Sequence, residues 1–157
     1  MREATLCFLI RGDPPESVLL GLKKNGFGAG KYNGFGGKIE PGETVRSAAA
    51  RELKEESGVQ IEAHDLHSAG HLTFIFPAKP EWDQIVHVFL ARAWRGEPAE
   101  SREMRPAWFR TDAIPFDDMW ADDAYWLPRV LRGEAVRATF WYRADNASVD
   151  RVEFAAF

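Results

Sequence analysis

Cysteine is almost absent from this sequence, which contains a single thiol, Cys7, among 157 residues. One thiol excludes an internal disulfide and the usual cysteine zinc sites, and it favours a reducing compartment. No apolar run approaches the roughly 18 residues of a membrane span. The first apolar stretch, 4–10, is short and is not followed by a small-residue cleavage site. We therefore expect a cytoplasmic protein that has neither a membrane segment nor a signal peptide.

An excess of positive charge is also missing, because the formal net charge is -4 and the pI is near 5.6. This balance argues against a broad basic surface for duplex nucleic acid or for an anionic membrane. An acidic protein can still bind a small phosphorylated molecule if a divalent cation lies between the two negative partners. Repeats, low-complexity tracts and linkers are absent as well. The length then predicts one domain over residues 1–157, and we expect a monomer.

Apolar runs and turn residues divide the chain into strands, a helix, more strands, a second helix and a closing hairpin. The predicted strands are 5–10, 17–22, 32–35, 67–76, 84–94, 108–110, 135–143 and 148–154. The clearest helix covers 44–57, with Thr44 as its N-cap and Gly58 as its stop. A second helix is predicted over 121–132, despite Pro128. This order predicts an α+β fold, an α/β/α sandwich around a mixed β-sheet.

Three glutamates of the first helix, Glu52, Glu55 and Glu56, have i, i+3 and i+4 spacing. At about 100° per residue they share one helix face. Like charges at this spacing weaken an isolated helix by roughly a few tenths of a kcal/mol per pair. A divalent cation would relieve the repulsion, and carboxylate oxygens select Mg²⁺ or Mn²⁺. These carboxylates alone leave a solvated acidic helix open as the alternative.

A longer pattern surrounds these glutamates. It reads glycine, five residues, Glu, seven residues, Arg-Glu, an aliphatic residue, one residue, Glu-Glu, one residue, glycine and an aliphatic residue. The matching positions are Gly37, Glu43, Arg51, Glu52, Leu53, Glu55, Glu56, Gly58 and Val59. This is the Nudix box, and the sequence resembles the Nudix (MutT-type) hydrolases. The resemblance implies a loop–helix–loop site, where metal-activated water attacks phosphorus and cleaves a nucleoside diphosphate linked to another moiety.

The resemblance also assigns roles within the site. It implies metal binding by Gly36, Gly37, Glu52, Glu55, Glu56 and Glu103, in which the two glycines offer a backbone carbonyl. Arg51 and Glu43 would form an ion pair that positions the helix. Glu55 would be a third ligand or the general base, and the choice of base among Glu55, Glu56 and Glu103 stays open. We also expect Gly37 to let the backbone approach a phosphate closely.

Segments outside the box resemble one Nudix subfamily, the oxidised-purine nucleoside triphosphatases. The segments that carry this likeness are 23–30, 33–37, 103–109 and 114–126. The resemblance implies substrate binding by Thr5, Lys23, Phe27, Asn33, Phe74, Trp120, Asp122, Asp123 and Trp126. Trp120 would stack on the purine, Asp122 and Asp123 would read its polar edge, and Lys23 would meet the phosphates. Gln84 departs from the subfamily, which has an apolar residue there.

The aspartate pair has a physical reason to select a base. Two carboxylates a few Å apart cannot easily both ionise, so the pair can present one donor and one acceptor. Such a pair suits an oxidised guanine or, after the proton moves, a hydroxylated adenine. Other interpretations stay open: Asp122 and Asp123 could cap a helix, Trp120 and Trp126 could be core residues, and Asn33 could be a turn residue.

The leading hypothesis is a Mg²⁺-dependent pyrophosphohydrolase of oxidised purine nucleoside triphosphates, such as 8-oxo-dGTP and 2-hydroxy-dATP. It would release the monophosphate and pyrophosphate and so cleanse the nucleotide pool. One alternative is a Nudix pyrophosphatase for ADP-ribose, a dinucleotide or alkylated dGTP. Another is a Nudix module that binds a nucleotide without catalysis, but a module of that kind has no need to keep three mutually repelling glutamates.

Overall fold

The computed structural model describes residues 1–156, which form eight strands and two α-helices. The strands are β1 (Arg2–Arg11), β2 (Ser17–Lys23), β3 (Tyr32–Asn33), β4 (His67–Ile75), β5 (Gln84–Ala91), β6 (Met104–Arg110), β7 (Val136–Tyr142) and β8 (Val149–Ala155); the helices are α1 (Val45–Ser57) and α2 (Asp123–Leu131). The predicted order of strands and helices is confirmed. The main difference is β6, which is longer than predicted because it pairs along all of β2. Neither helix of residues 1–156 is long and apolar enough to cross a membrane.

The sheet is mixed, with the strand order β3-β2-β1-β5-β4-β7-β8 and with β6 on the other side of β2. β1 runs parallel to β5 and β4 runs parallel to β7, whereas the remaining pairs are antiparallel. β1 and β2 pair where Ile10 faces Val18 at the end of β1. Before that point the loop after β3 lies beside β1, and Cys7 and Phe35 exchange backbone hydrogen bonds of 2.6 and 2.9 Å. This arrangement places the loop between β1 and α1.

One helix covers each face of the sheet. β1 is buried on both sides, because Cys7 and Leu9 pack in the cluster that contains α1, while Phe8 and Ile10 pack in the cluster that contains α2. Alternate residues of a strand point to opposite faces, so a strand with two apolar faces belongs in the middle of three layers. The predicted α+β class and the α/β/α sandwich are confirmed.

Helix α1 has well-defined ends. Thr44 accepts a hydrogen bond from the Ser47 amide at 3.1 Å, and the Ser47 hydroxyl accepts one from the Thr44 amide at 3.0 Å. At the other end Gly58 adopts the left-handed conformation, with φ 78°, and its amide donates to the Lys54 carbonyl. These contacts satisfy backbone groups that a helix end would otherwise leave unpaired.

We predict that Thr44→Ala lowers the free energy of unfolding by about 1 kcal/mol, because the side-chain half of the cap is lost. Thr44→Ser is the control, since serine keeps the acceptor oxygen. Urea denaturation of the three proteins measures the effect. Equal stability of the alanine and serine variants would show that the cap does not stabilise α1.

Candidate active site

At Gly36 and Gly37 the loop lies too close to β1 and α1 for a side chain. A Cβ on Gly36 would lie 1.8 Å from the Thr5 carbonyl oxygen, so the loop could not approach β1 with any other residue there. A Cβ on Gly37 would lie 2.7 Å from the Glu52 carboxyl group. The Glu52 carboxyl group therefore occupies the side of Gly37 where a Cβ would point, and the expected close approach of the backbone to a phosphate stays a prediction.

The glutamates of α1 lie in three different environments. Glu56 is buried and its Oε1 accepts the Gly36 amide at 2.9 Å. The pKa of Glu56 is raised to about 8, mainly by burial and also by the charge of Glu52, against the lowering effect of the Gly36 hydrogen bond. Burial also raises the pKa of Glu52, against the lowering effect of Arg51. Glu55 is exposed to solvent, so the three glutamates differ in their burial.

Arg51 ties the glycine loop to α1. Its Nε and Nη2 donate to the two carboxylate oxygens of Glu43 at 2.7 and 2.9 Å, and Nη2 also donates to the Lys38 carbonyl at 3.1 Å. Its Nη1 donates to Glu52 Oε1 at 3.0 Å. The guanidinium lowers the pKa of Glu43 to about 2. The expected Arg51–Glu43 pair is therefore present, and the same guanidinium orients Glu52.

The donor atoms around the glycine turn are of the kind that a hard divalent cation binds. Glu52 and Glu56 both direct carboxylates at this turn, and such oxygens are the usual ligands of Mg²⁺ and Ca²⁺. The Gly37 carbonyl already accepts the Thr5 amide at 2.9 Å, which makes Gly36 the freer of the two expected carbonyl donors.

The expected ligands do not all converge. Within residues 1–156 no three His, Cys, Asp or Glu side chains stand close enough together to hold a metal ion. Glu55 pairs with Arg51, and Glu103 lies 3.8 Å from the Lys23 ammonium. The side-chain donors that reach the turn are therefore Glu52 and Glu56, and Glu55 and Glu103 would have to turn towards it to bind.

A cavity of about 350 Å³ opens beside the glycine turn. All nine residues expected to bind substrate line it: Thr5, Lys23, Phe27, Asn33, Phe74, Trp120, Asp122, Asp123 and Trp126. The wall also includes Gly36 and Gly37 of the glycine turn and Glu56 of α1. The cavity thus joins residues from distant parts of the chain, from Thr5 to Trp126. The expected residues that stand outside its wall are Glu43, Arg51, Glu52, Glu55 and Glu103.

Asp122 and Asp123 are both buried in the wall of this cavity. Asp122 Oδ2 accepts the Trp126 indole N–H at 2.8 Å, and its Oδ1 accepts the Tyr142 hydroxyl. Asp123 Oδ2 is buried and has no hydrogen-bond partner within the described residues. Burial raises the pKa of both carboxyls, and the neighbouring Asp122 charge raises that of Asp123 well above its usual range. Burial and the Asp122 charge therefore favour the neutral acid at Asp123, beside an Asp122 that accepts two side-chain hydrogen bonds.

The alternative interpretations of these residues have different outcomes. Asp122 stands at the N-cap of α2, but its side chain makes no capping bond in the described structure, so that interpretation is wrong for Asp122. Trp126 is fully buried and is both a core residue and part of the cavity wall. Asn33 does make a local turn contact, because its Oδ1 accepts the Gly34 amide at 2.9 Å. Its amide nitrogen remains available to a ligand.

Aromatic rings form one side of the cavity. Trp120 stacks with Phe27 at 5.1 Å between ring centroids and at 26° between ring planes. Phe27 is 42% exposed on its glycine loop, and a Cβ on Gly28 would lie 3.2 Å from the Trp120 indole nitrogen. The loop therefore lies directly over the indole that is expected to stack on a purine.

The sequence did not reveal Tyr142, which lines the cavity and contacts Asp122. Its signal is the alternation of Val136, Ala138, Phe140 and Tyr142, which places a phenol on the apolar face of β7. A buried phenol needs a hydrogen-bond partner. The cations Arg2, Lys31 and Lys38 also line the cavity without having been expected. In the described part of the chain none of these three forms an ion pair, so they can face an anionic ligand.

Known proteins share this sequence and this fold. The NUDIX domain family matches residues 1–130. The chain is 53% identical over 118 residues to the oxidized purine nucleoside triphosphate hydrolase of Mus musculus, which covers 75% of this chain and 74% of that protein. It is 49% identical over 136 residues to the protein of the same name from Danio rerio, which covers 87% and 85%.

The fold is similar to that of a MutT protein from Bacillus halodurans, with a TM-score of 0.80 and 23% identity over 98% of this chain and 97% of the other. That likeness concerns the fold alone. The family match covers most of the chain, and the two relatives named above are identical to this chain at about half of the aligned residues. The chain therefore belongs to the Nudix family.

Proposed function

We propose that this protein hydrolyses oxidised purine nucleoside triphosphates, such as 8-oxo-dGTP and 2-hydroxy-dATP, to the monophosphate and pyrophosphate. The observation that carries the proposal is that one cavity is lined by two groups of residues. Glu56 and the glycine turn form the first group, and Trp120, Asp122 and Asp123 form the second. The names of the relatives from Mus musculus and Danio rerio support it. Its role would be to remove damaged precursors from the nucleotide pool.

Nudix hydrolases generally use a divalent metal ion, and we propose Mg²⁺, for which Mn²⁺ can substitute. Glu52, Glu56 and the Gly36 carbonyl would hold it, with Glu55, Glu103 and Gly37 as further candidate ligands. When bound, such an ion lowers the pKa of an attacking water and offsets triphosphate charge. Glu56 lines the cavity whereas Glu55 and Glu103 stand outside its wall, which favours Glu56 for contact with the reacting phosphate.

Further residues around the cavity position the loop and offset the charge of the phosphates. Arg51 holds Glu43 and Glu52 in one network, and it thereby fixes the loop against α1. Lys23 and Lys38 line the cavity and can meet the negative phosphates. Cleavage of a phosphoanhydride depends mainly on positioning and on charge neutralisation, so this set of contacts suits the reaction.

Recognition of the base would divide between stacking and hydrogen bonding. Stacking on Trp120 adds about 1–3 kcal/mol for any purine. Both carboxylate oxygens of Asp122 already accept hydrogen bonds, whereas Asp123 Oδ2 has no partner in the described chain. Asp123 therefore offers the more direct contact to the base edge, and Asp122 supports it.

The wider setting of this function is also a proposal. We infer that the chain acts as one domain, as a monomer and in the cytosol, on a free nucleotide rather than on duplex nucleic acid. A volume of about 350 Å³ lies in the range of small-molecule pockets, which supports a free nucleotide as the ligand.

Initial rates with a nucleotide panel test the proposal. We expect 8-oxo-dGTP and 2-hydroxy-dATP to be better substrates than dGTP and ADP-ribose, with activity that needs Mg²⁺ and disappears with a chelator. Faster turnover of ADP-ribose, a dinucleotide or alkylated dGTP would indicate a different Nudix pyrophosphatase. Binding without turnover of any of them would indicate the non-catalytic module.

Glu56→Gln should fold normally but lose at least roughly a hundredfold in kcat, because a charged oxygen ligand of the proposed Mg²⁺ is removed. Glutamine keeps the acceptor for the Gly36 amide, so the loop should stay in place. Glu97→Gln is the matched control, since Glu97 is exposed. Turnover of Glu56→Gln at the wild-type rate would exclude a role of this carboxylate in the chemistry.

Asp123→Asn should lower kcat/KM for 8-oxo-dGTP about ten- to hundredfold, because a base hydrogen bond is lost in a closed pocket. The already slow turnover of dGTP should change little. Trp120→Ala should weaken all purine substrates together, since stacking hardly depends on the base edge. An equal fall for both nucleotides in Asp123→Asn would mean that Asp123 supports the fold and does not select the base.

A further inference from the structure

The hydroxyl group of Tyr142 makes two hydrogen bonds, both with Asp122. It donates to Asp122 Oδ1 and accepts the Asp122 backbone amide at 3.2 Å. The phenol ring is buried, stacked on Phe76 at 4.6 Å, with its edge towards Trp120 at 6.0 Å. The ring therefore has little freedom, and the hydroxyl is held at the aspartate.

The donors around the aspartate pair are unevenly divided. Asp122 receives two side-chain hydrogen bonds, from Tyr142 and from the Trp126 indole. Asp123 Oδ2 receives none from residues 1–156, although it is buried. Hydrogen bonds that donate to a carboxylate stabilise its charged form, and an unpaired buried carboxyl favours its neutral form. The contacts thus place the negative charge on Asp122 and the proton on Asp123.

We propose that Tyr142 is a positioning residue for substrate selection: it holds Asp122 as the hydrogen-bond acceptor of the pair, keeps the proton on Asp123, and so narrows the choice between oxidised guanine and hydroxylated adenine. This inference rests on the proposed function of the same cavity. It adds a residue that contacts Asp122 and thereby sets the order in which the aspartate pair presents donors and acceptors to the base.

The two substrates differ in that order. Along its pairing edge an oxidised guanine presents a carbonyl acceptor and then two N–H donors. Hydroxyadenine in its keto form presents an amino donor, a ring N–H donor and then a carbonyl acceptor, which is the reverse. A pair whose proton moves freely can match either edge, whereas a pair whose proton is fixed matches one edge better.

Tyr142→Phe tests the proposal, because it removes the hydroxyl and keeps the ring that packs on Phe76. We expect the ratio of kcat/KM for 8-oxo-dGTP and 2-hydroxy-dATP to move towards one by about five- to tenfold, mainly through KM, as a buried hydrogen bond to Asp122 is lost. Tyr125→Phe is the control, since Tyr125 is exposed on α2, the helix that contains Asp123. An unchanged ratio, or an equal fall for both nucleotides, would overturn the proposal.

NMR of the aspartate side-chain carboxyl carbons in the free protein at neutral pH gives a readout that needs no turnover. We expect one protonated aspartate in the wild type, absent in Asp123→Asn, and a partly ionised signal at that position in Tyr142→Phe. Identical aspartate signals in the wild type and Tyr142→Phe would overturn the proposal. If instead the signals change but neither oxidised nucleotide is hydrolysed, the proton placement stands and the proposed substrate class is wrong.

Discussion

The close packing of the Gly36–Gly37 turn between β1 and α1 is the constraint on which the rest of the site depends. The turn takes the place beside β1 that β2 leaves, and any side chain at Gly36 would meet the Thr5 carbonyl. The same turn receives Glu56 through its amide and Glu52 through the space at Gly37. Two acidic side chains are therefore brought together by backbone contacts, and the fold tolerates their repulsion because Arg51 offsets part of it.

A second pair of buried acids, Asp122 and Asp123, lines the cavity and has different hydrogen-bond partners. Two uncharged donors stabilise Asp122, whereas burial and the Asp122 charge raise the pKa of Asp123 well above its usual range. Glu52 and Glu56 have oxygens of the kind that a divalent cation binds. Under the proposed function, the glutamates would serve the phosphates and the aspartates would select the base.

Much of this site was predictable because its signals are local. Thr44, Gly58 and the spacing of the glutamates define α1 within one short segment, and the base-side residues follow from a resemblance that spans further segments. The contacts of Tyr142 and the length of β6 depend on strand pairing between residues far apart in the chain, which no short window contains. The contact between Gly37 and the Glu52 carboxylate could not be predicted for the same reason, since Glu52 reaches Gly37 from another element.

The central claim is that one cavity places a damaged base and its phosphates at two separate acidic sites. A crystal structure of the protein with 8-oxo-dGMP, the expected product, tests it most directly. The account predicts the purine stacked on Trp120, its pairing edge on Asp122 and Asp123, and its phosphate directed to the Gly36–Gly37 turn near Glu56. A nucleotide with its base away from Asp123, or with its phosphate remote from Glu56, would contradict the account.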